Sequence, residues 1–211
     1  MTLNIDLDKL DGGRKLPFVE DFYTVQGEGR FTGFAAYFIR LAGCDVCCPW
    51  CDAKYTWNPS KFEARPIEEV VRRVVASGTR LAVVTGGEPL LYPLGALTEA
   101  LHDEGVAVNL ETSGTHPFSG RFDWVCLSPK RKKEPLAENL RRADELKVVI
   151  ERMEDFEWAE HNAAQTKADC FLLLQVEWSR TKEMMPHVVE YVKAHPQWHI
   201  SIQTHKYMNI P

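Results

Sequence analysis

Short apolar runs alternate with stretches of helical periodicity along most of the chain, and this alternation limits the fold more than any other sequence feature. The runs are rich in β-branched residues, as is typical of strands buried on both faces of a sheet. Strands alternating with helices of this length predict βαβ units and a parallel sheet. The predicted strands span 36–41, 81–85, 107–111, 124–127, 146–150, 171–175 and 199–203, and the predicted helices span 66–76, 94–104, 136–146, 154–168 and 182–194.

The length of the chain limits how far such a sheet can continue. A complete eight-fold β/α barrel needs about 250 residues, whereas this chain has 211. We therefore predict an α/β fold with a single domain over residues 1–211. Its architecture is expected to be an incomplete (β/α)6-type barrel, with a mostly parallel open sheet and outer helices. Functional side chains of such folds lie at the carboxyl ends of the strands.

Composition and charge exclude several classes of protein. With 45% hydrophobic and 26% charged residues, the chain has the composition of a globular domain, which excludes global disorder. Its net charge of -5 argues against direct, electrostatic binding of nucleic acid. No run of about 18 apolar residues is available to span a membrane, and residues 1–16 carry no apolar signal core. We therefore expect a cytoplasmic protein.

The cysteines are concentrated in the segment GCDVCCPWCD, where Cys44, Cys47, Cys48 and Cys51 lie close together. Without a signal peptide, clustered thiols indicate a metal site rather than disulfide bonds. The spacing allows two triplets, C-x3-C-x2-C through Cys48 or C-x2-C-x3-C through Cys47. Three thiolates from one loop suit a [4Fe-4S] cluster with its fourth iron open to another ligand. A tetrahedral zinc site on all four thiols and a purely structural thiol cluster are the alternatives.

A second motif, TGGEP at residues 85–89, ends the second predicted strand. Two adjacent glycines let a ligand approach the backbone closely, although such a pair is more often only a turn. Glu88 adds a carboxylate that can accept hydrogen bonds from an ammonium group. The motif is expected at the same edge of the sheet as the cysteine loop, because each follows a predicted parallel strand.

Taken together, the two motifs resemble the radical S-adenosylmethionine superfamily, in which C-x3-C-x-aromatic-C follows the first strand and GGEP follows the second. Trp50 occupies the aromatic position. The resemblance therefore selects Cys44, Cys48 and Cys51 as the ligands of the cluster and leaves Cys47 without a role.

Further landmarks, spread from residue 22 to residue 211, resemble the 7-carboxy-7-deazaguanine synthases of that superfamily. They are FYTVQGEG at 22–29, Arg40, ETSGT at 111–115, SPK at 128–130, and QTHK at 203–206 with the final Ile210-Pro211. The resemblance implies a lyase of queuosine and 7-deazapurine biosynthesis that converts 6-carboxy-5,6,7,8-tetrahydropterin to 7-carboxy-7-deazaguanine with loss of ammonia. It also implies S-adenosylmethionine and a [4Fe-4S] cluster as cofactors, a homodimer, and a reductant such as flavodoxin or ferredoxin.

The resemblance also implies two sets of binding residues. The predicted cofactor-binding residues are Trp50, Cys51, Asp52, Gly86, Gly87, Glu88, Ser128, Pro129, Lys130 and Gln175. The predicted substrate-binding residues are Val25, Gln26, Gly27, Arg40, Thr85, Glu111, His205 and Pro211, of which Glu111 and His205 are the predicted catalytic residues. Arg40 is expected to pair with the carboxylate of the pterin. Glu111 is expected to bind ring donors, because a buried carboxylate without a partner is costly.

Two positions depart from the family pattern. Members commonly carry Thr or Ser after the Cys-Asp pair, where the hydroxyl is a magnesium ligand, but here that residue is Ala53. Magnesium requires oxygen ligands, so we predict weak or absent magnesium dependence. Val176 stands where the family often has proline, which alters the backbone next to Gln175.

Two other functions share part of this pattern. An activating enzyme that makes a glycyl radical on a partner protein would use the same cysteine and GGEP motifs. It would not require QGEG, Glu111 and His205 to converge on a pterin. A zinc-binding module without catalytic activity would use the same thiols, and it would remain colourless after reconstitution with iron and sulfide.

Overall fold

One long sheet organises the molecule. The computed structural model describes residues 3, 5 and 7–211. The strands in this part of the chain are β1 (Lys15–Leu16), β2 (Phe18–Val25), β3 (Ala35–Leu41), β4 (Arg65–Pro66), β5 (Leu81–Gly86), β6 (Ala107–Thr112), β7 (Trp124–Leu127), β8 (Glu145–Ile150), β9 (Phe171–Val176) and β10 (Trp198–Ser201). The α-helices are α1 (Ile67–Ser77), α2 (Gly95–Asp103), α3 (Ala137–Leu140), α4 (Asp155–Ala163), α5 (Thr181–Ala194) and α6 (Thr204–Met208).

The strand order agrees with an open barrel. Over the described ranges, eight strands form one sheet in the order β10-β9-β8-β7-β6-β5-β3-β2. The neighbours from β10 to β3 pair in parallel, and β2 pairs with β3 in the antiparallel direction. β1 and β4 form a separate antiparallel pair. The prediction of an α/β fold with a mostly parallel open sheet and outer helices is confirmed.

The two faces of this sheet differ in chemistry, because successive side chains of a strand point to opposite faces. One face is apolar and forms the two core clusters that pack against the helices. Fully buried residues on it are Val84, Leu110, Leu127, Val148 and Leu174. The alternate positions face the interior of the open barrel and include Thr85, Glu111, Lys147 and Gln175. We call this second surface the inner face.

The segment after β2 bridges the two outer strands of the sheet. We call residues 26–31 the closing segment. Gly29 N–H donates to Ser201 Oγ at the end of β10 (3.1 Å), and Thr204 N–H donates to Gly27 O (2.9 Å). Phe31 packs edge to face against Trp124 on β7, with 5.4 Å between the ring centroids. The closing segment therefore lies across the inner face.

Two predicted helices are wrong at their carboxyl ends. The helix predicted at 136–146 is limited to α3, because Asp144 N–H bonds to Val125 O and Glu145 already pairs with Phe171 as β8 begins. The helix predicted at 154–168 ends with α4 at Ala163, after which the chain forms tight turns. In both places, strand pairing or a turn replaces helical hydrogen bonds that the local sequence would allow.

Strand β2 (Phe18–Val25) is not among the predicted strands. The strand predicted at 199–203 lies slightly earlier in the structure, at Trp198–Ser201 (β10). Polar residues interrupt the apolar pattern of β2, and Asp21 among them binds Arg73 through two hydrogen bonds of 2.7 Å. An edge strand tolerates such residues because one of its sides meets solvent rather than another strand.

None of the helices in the described part of the chain combines the length and hydrophobicity needed to cross a bilayer. Residues 1, 2, 4 and 6, on which the prediction of no secretory signal partly depends, lie outside the described residues.

Candidate active site

The loop after β3 brings three cysteines into one small cluster. Cys44 and Cys48 are buried, and Cys51 is half-buried. Gly43 N–H donates to Thr56 O at 2.6 Å, which folds the loop back on itself. The side chains packed around the three thiols are Val46, Trp50 and Trp57.

Cys47, which the spacing could also select as a ligand, has its thiol directed at the backbone of its own loop. The thiol donates to the Cys44 carbonyl oxygen at 3.2 Å. Its φ of 52° lies in the left-handed region, which is uncommon for a residue other than glycine. This geometry gives Cys47 a conformational role in the turn between Cys44 and Cys48.

The thiols fit an iron–sulfur cluster better than a single metal ion. Burial raises the pKa of the Cys44 thiol to about 11 and raises that of Cys48, so binding iron must release protons. Among the residues that the structure describes, no three His, Cys, Asp or Glu side chains are arranged to hold one ion. Three thiols from one loop match a [4Fe-4S] cluster, in which each ligated iron takes one thiolate.

Neighbouring loops hold the cysteine loop in place. Asp45 receives Lys133 Nζ at 2.5 Å and lies 3.1 Å from His116 Nε2. Lys132 Nζ donates to Cys47 O at 3.0 Å. The loops that follow β6 and β7 therefore fix the position of the thiols relative to the sheet.

The TGGEP motif passes directly beside the cysteine loop. A Cβ on Gly86 would clash with the Leu41 backbone, and one on Gly87 would clash with the Gly43 carbonyl. Glu88 N–H donates to Gly43 O at 2.7 Å. Only glycine allows this close approach, which explains the two adjacent glycines.

The Glu88 carboxylate is already occupied by hydrogen bonds. It accepts from Leu90 N–H (3.0 Å), from the Thr112 hydroxyl (2.5 Å), and from both the backbone N–H and the hydroxyl of Ser113. The side chain is 1% exposed. Glu88 therefore ties the end of β5 to the loop after β6.

A cavity of about 360 Å³ lies beside the cysteine loop. Lys130 Nζ lies 5.3 Å from the centre of the Trp50 ring and donates to Ser128 Oγ at 2.5 Å. Burial lowers the pKa of Lys130. The lining includes Cys48, Trp50, Pro129, Lys130, Arg152 and Trp158.

A buried ion-pair cluster occupies the inner face beneath the closing segment. Lys147 Nζ lies 2.7 Å from Glu28 Oε2 and 2.9 Å from Glu111 Oε2. Gln26 Nε2 donates to Glu111 Oε1 at 3.4 Å, and Gln203 Nε2 donates to Glu28 Oε1 at 2.6 Å. We call Glu28, Glu111 and Lys147 the lysine cluster.

The opposite charges of Lys147 and Glu28 each favour the ionised form of the other. Burial alone would lower the pKa of Lys147, but the neighbouring acidic groups, Cys126, Glu111, Glu28 and Glu145, raise it well above its usual range. Burial would likewise raise the pKa of Glu28, but Lys147 and the amides of Gln203 and Gln175 lower it to about 2. Both groups are therefore charged at neutral pH.

Helix α6 completes the pocket. The His205 side chain packs so closely on Gly27 that a Cβ there would clash with the imidazole ring. Burial lowers the pKa of His205, which favours the neutral ring. Lys206 Nζ lies 3.3 Å from Asp52 Oδ2, which joins α6 to the cysteine loop.

Comparisons with known proteins agree with this geometry. Residues 38–149 match the family model of the Radical SAM superfamily. A 7-carboxy-7-deazaguanine synthase of Flavobacterium psychrophilum is 48% identical over 202 residues, covering 96% of both chains. The synthase of Escherichia coli K12 is 34% identical and covers 92% of this chain and 98% of its own. The crystal structure of QueE from Escherichia coli matches with a TM-score of 0.81 and 33% identity, over 95% of this chain and 99% of that one.

The chain belongs to the 7-carboxy-7-deazaguanine synthase family. It is therefore a radical S-adenosylmethionine enzyme, with S-adenosylmethionine and a [4Fe-4S] cluster as its cofactors. The glycyl-radical activating enzyme and the zinc-binding module are not favoured by these matches.

The structure brings several predicted substrate residues of this synthase together. Glu111 is part of the lysine cluster, Gln26 bonds to it, and His205 packs on Gly27 in the closing segment, into which Val25 leads at the end of β2. Gln175, which is predicted to contact S-adenosylmethionine, accepts from Ser201 Oγ at 2.7 Å and hydrogen-bonds to Glu28.

The remaining predicted substrate-binding residues, Arg40, Thr85 and Pro211, are on other strands or at the end of the chain. Arg40 and Thr85 are register neighbours on β3 and β5. Arg40 Nε already donates to Glu20 Oε1 at 2.8 Å. Pro211 is exposed, while Ile210 before it donates its N–H to His205 O at 3.2 Å.

Lys147 was not among the predicted site residues. It lies within the apolar strand sequence ELKVVI, and it is 4% exposed. A buried lysine needs a carboxylate partner, so a lysine inside an apolar strand is itself a signal of a buried ion pair. Glu28 was part of a recognised motif but received no role of its own.

Proposed function

We propose that this synthase converts 6-carboxy-5,6,7,8-tetrahydropterin to 7-carboxy-7-deazaguanine with loss of ammonia, as a lyase in queuosine or another 7-deazapurine pathway. The supporting observation is that α6 joins the cysteine loop to the pocket of the lysine cluster, because Lys206 Nζ lies 3.3 Å from Asp52 Oδ2 while His205 packs on Gly27. A pterin has N–H donors and a carboxylate, and the inner face offers both acceptors and cations to match them.

The cysteine loop and its surroundings would hold the cofactors. Cys44, Cys48 and Cys51 would bind the cluster, which, together with S-adenosylmethionine, would supply one-electron radical chemistry for abstracting hydrogen from the substrate. The backbone of Gly86 and Gly87 would receive the methionine ammonium.

The cavity beside Trp50 would hold the adenosyl group, because an aromatic face and the rigid Pro129 suit a planar base. Ser128 and Lys130 would contact the ribose or the methionine carboxylate. Asp52, on the rim, is joined to α6 through Lys206.

For the pterin, we propose that Glu111 and Gln26 face the ring donors, with His205 and Gly27 closing the pocket. Arg40 would bind the substrate carboxylate in competition with Glu20, which it contacts in this structure. Thr85 lies next to Arg40 in register and would contact the same part of the ligand.

We also propose a homodimer and an external reductant such as flavodoxin or ferredoxin. Both outer strands, β2 and β10, end the sheet and have one side open for pairing. Sedimentation analysis tests the dimer, and a monomer at micromolar concentration would contradict it. A cytoplasmic location fits free thiols and an enzyme of base modification. We propose no direct contact with nucleic acid.

Anaerobic turnover tests the proposed function. The reconstituted enzyme is incubated with S-adenosylmethionine, reductant and the tetrahydropterin acid. We expect mass spectrometry to detect 7-carboxy-7-deazaguanine. Formation of 5′-deoxyadenosine without any deazaguanine would show a radical enzyme acting on another substrate, and a colourless protein with one zinc would contradict radical chemistry altogether.

A further inference from the structure

Lys147 joins two carboxylates that come from different parts of the chain. Glu111 is on β6, inside the sheet, whereas Glu28 is on the closing segment. The ammonium group binds Oε2 of each, at 2.9 and 2.7 Å. Its side chain is 6% exposed, so these interactions are shielded from water and salt.

The remaining carboxylate oxygens point to different partners. Glu28 Oε1 accepts a short bond of 2.6 Å from Gln203, which fixes it to the segment before α6. Glu111 Oε1 receives a long bond of 3.4 Å from Gln26, and the Cys126 thiol also hydrogen-bonds to the Glu111 carboxylate. Among the four oxygens of the two carboxylates, Glu111 Oε1 is therefore the one best placed to accept a new donor.

We propose that Lys147 is a positioning residue for pterin recognition. It orients Glu111 with Oε1 turned toward the ring donors, and through Glu28 it holds the closing segment over the bound substrate. This inference rests on the proposed function. Lys147 need not touch the pterin itself, since its ammonium is already engaged by the two carboxylates.

Titratable groups from every neighbouring element influence what happens when the ammonium is removed. They are Glu28 in the closing segment, Cys126 on β7, Lys130 after β7, Glu145 on β8 and His205 on α6. Without Lys147, the buried Glu28 loses the cation that lowers its pKa, so its carboxyl is protonated more readily and holds the closing segment less firmly. Raising the pH would restore the ionised form.

The test compares Lys147→Met with wild type and with Lys167→Met. Lys167 is also ion-paired, to Asp144 at 2.5 Å, but it lies outside the pocket. For Lys147→Met we expect unchanged iron content and unchanged 5′-deoxyadenosine formation without pterin. The KM for the pterin should rise about 10- to 100-fold, as is typical when a group that orients a ligand-binding side chain is lost. The increase should become smaller as the pH is raised.

Lys147→Arg, which keeps a cation, is expected to recover part of the affinity, and Lys167→Met to match wild type. A KM for Lys147→Met equal to that of wild type would overturn the proposal. A loss of the same size at every pH, with a lower urea midpoint and no recovery in Lys147→Arg, would also overturn it, because it indicates a purely structural role.

A double variant keeps the test decisive if Lys147→Met alone misfolds. In it, Lys147→Met is combined with Glu28→Gln and compared with Glu28→Gln alone. In Glu28→Gln, loss of the ammonium leaves one buried carboxylate rather than two. Adding Lys147→Met there is expected to raise the KM again, and a KM equal to that of Glu28→Gln alone would contradict the proposal. If wild-type enzyme makes no deazaguanine, the proposed function fails and this inference fails with it. If wild type is active and the variants are normal, only this inference fails.

Discussion

Single residues in this pocket are held by one another as well as by the sheet. Glu88 is bound by Thr112 and Ser113, and Arg40 by Glu20. Such preorganised polar groups need little rearrangement when a ligand binds, which favours recognition. It also means that a residue of a familiar motif can have a structural partner that the motif does not reveal.

Magnesium dependence is a prediction at the residue scale. Ala53 offers no side-chain oxygen, and the Thr56 hydroxyl nearby donates to Ala53 O at 2.8 Å. We expect wild-type activity to change little when magnesium is chelated and restored, whereas Ala53→Thr should gain a magnesium-dependent component. Turnover measured across a magnesium titration checks this.

Ala53→Val is the matched control for that substitution, because it has nearly the shape of threonine without the hydroxyl. It should show no magnesium response. A strict magnesium requirement in wild type would contradict the prediction.

The Glu28 carboxyl predicts how stability changes with acid. Its pKa is lowered from 4.5 to about 2 in the folded protein, because Lys147 and two amides outweigh the effect of burial. A lowered folded-state pKa stabilises the protein above the unfolded value, and this contribution disappears as the pH falls from 4.5 towards 2. Urea unfolding should therefore show wild type losing stability faster than Glu28→Gln over that interval. Parallel curves for the two proteins would contradict the assignment.

At the scale of elements, the ends of strands and two short segments build the site. β3 and β5 deliver the cysteine loop and the glycine pair, and β6 and β8 deliver Glu111 and Lys147 of the lysine cluster. The closing segment and α6 then cover these groups from opposite ends of the described chain, joined by Thr204 N–H to Gly27 O at 2.9 Å. The pocket therefore depends on elements that are far apart in sequence.

Removing α6 should weaken use of the pterin substrate while leaving binding of the iron–sulfur cluster unchanged. A chain ending at Ile202 loses the Gln203–Glu28 bond and the packing of His205 on Gly27. We expect kcat/KM for the pterin to fall about 100-fold, because misplaced binding groups have effects of that size. Iron content should be retained, since the cysteine loop is held mainly by Lys132, Lys133 and His116.

Lys206→Ala is the control for this truncation. It removes the partly exposed ion pair with Asp52, the bond to Gln203 Oε1 (2.9 Å) and the contact with the Trp178 ring, and leaves His205 on Gly27. It should change activity little, because exposed ion pairs contribute at most about 1 kcal/mol. Equal loss of iron and of turnover in the truncated chain would make α6 a folding element.

At the scale of the whole molecule, one sheet connects two apolar clusters. The first is centred on β3 to β6 and the second on β8 to β10, and they meet where β6 pairs with β7. The closing segment adds a second connection through Glu28 and Lys147. From these links we predict that the described part of the chain folds as one cooperative domain.

Urea unfolding followed by two probes checks the single domain. We expect far-ultraviolet circular dichroism and tryptophan fluorescence to report the same midpoint, because circular dichroism follows the whole sheet while Trp158 and Trp198 report on the second cluster and Trp50 and Trp57 on the cysteine loop. Two separated transitions would indicate that the halves of the sheet unfold independently.

The open α/β sheet could be predicted from sequence because local patterns carry that information. Apolar runs bury one face of a strand wherever the strand sits, and the cysteine and TGGEP motifs have fixed places after their strands. Helix ends such as that of α3 could not be predicted, since β8 begins where its strand partner requires it. The edge strand β2 was missed because its polar residues look like a loop until Arg73 is brought beside Asp21.

The sequence by itself determined the fold class, the chemistry of the cluster ligands and the family, because these depend on residue types at short spacing. Only the tertiary structure decided that Lys147 lies between Glu28 and Glu111, residues 119 and 36 positions away in the chain. It also decided that the Cys47 thiol bonds to the backbone of its own loop, and that hydrogen bonds from Thr112 and Ser113 occupy the Glu88 carboxylate. Burial and ion pairing depend on which distant groups share a site, and folding alone determines that arrangement.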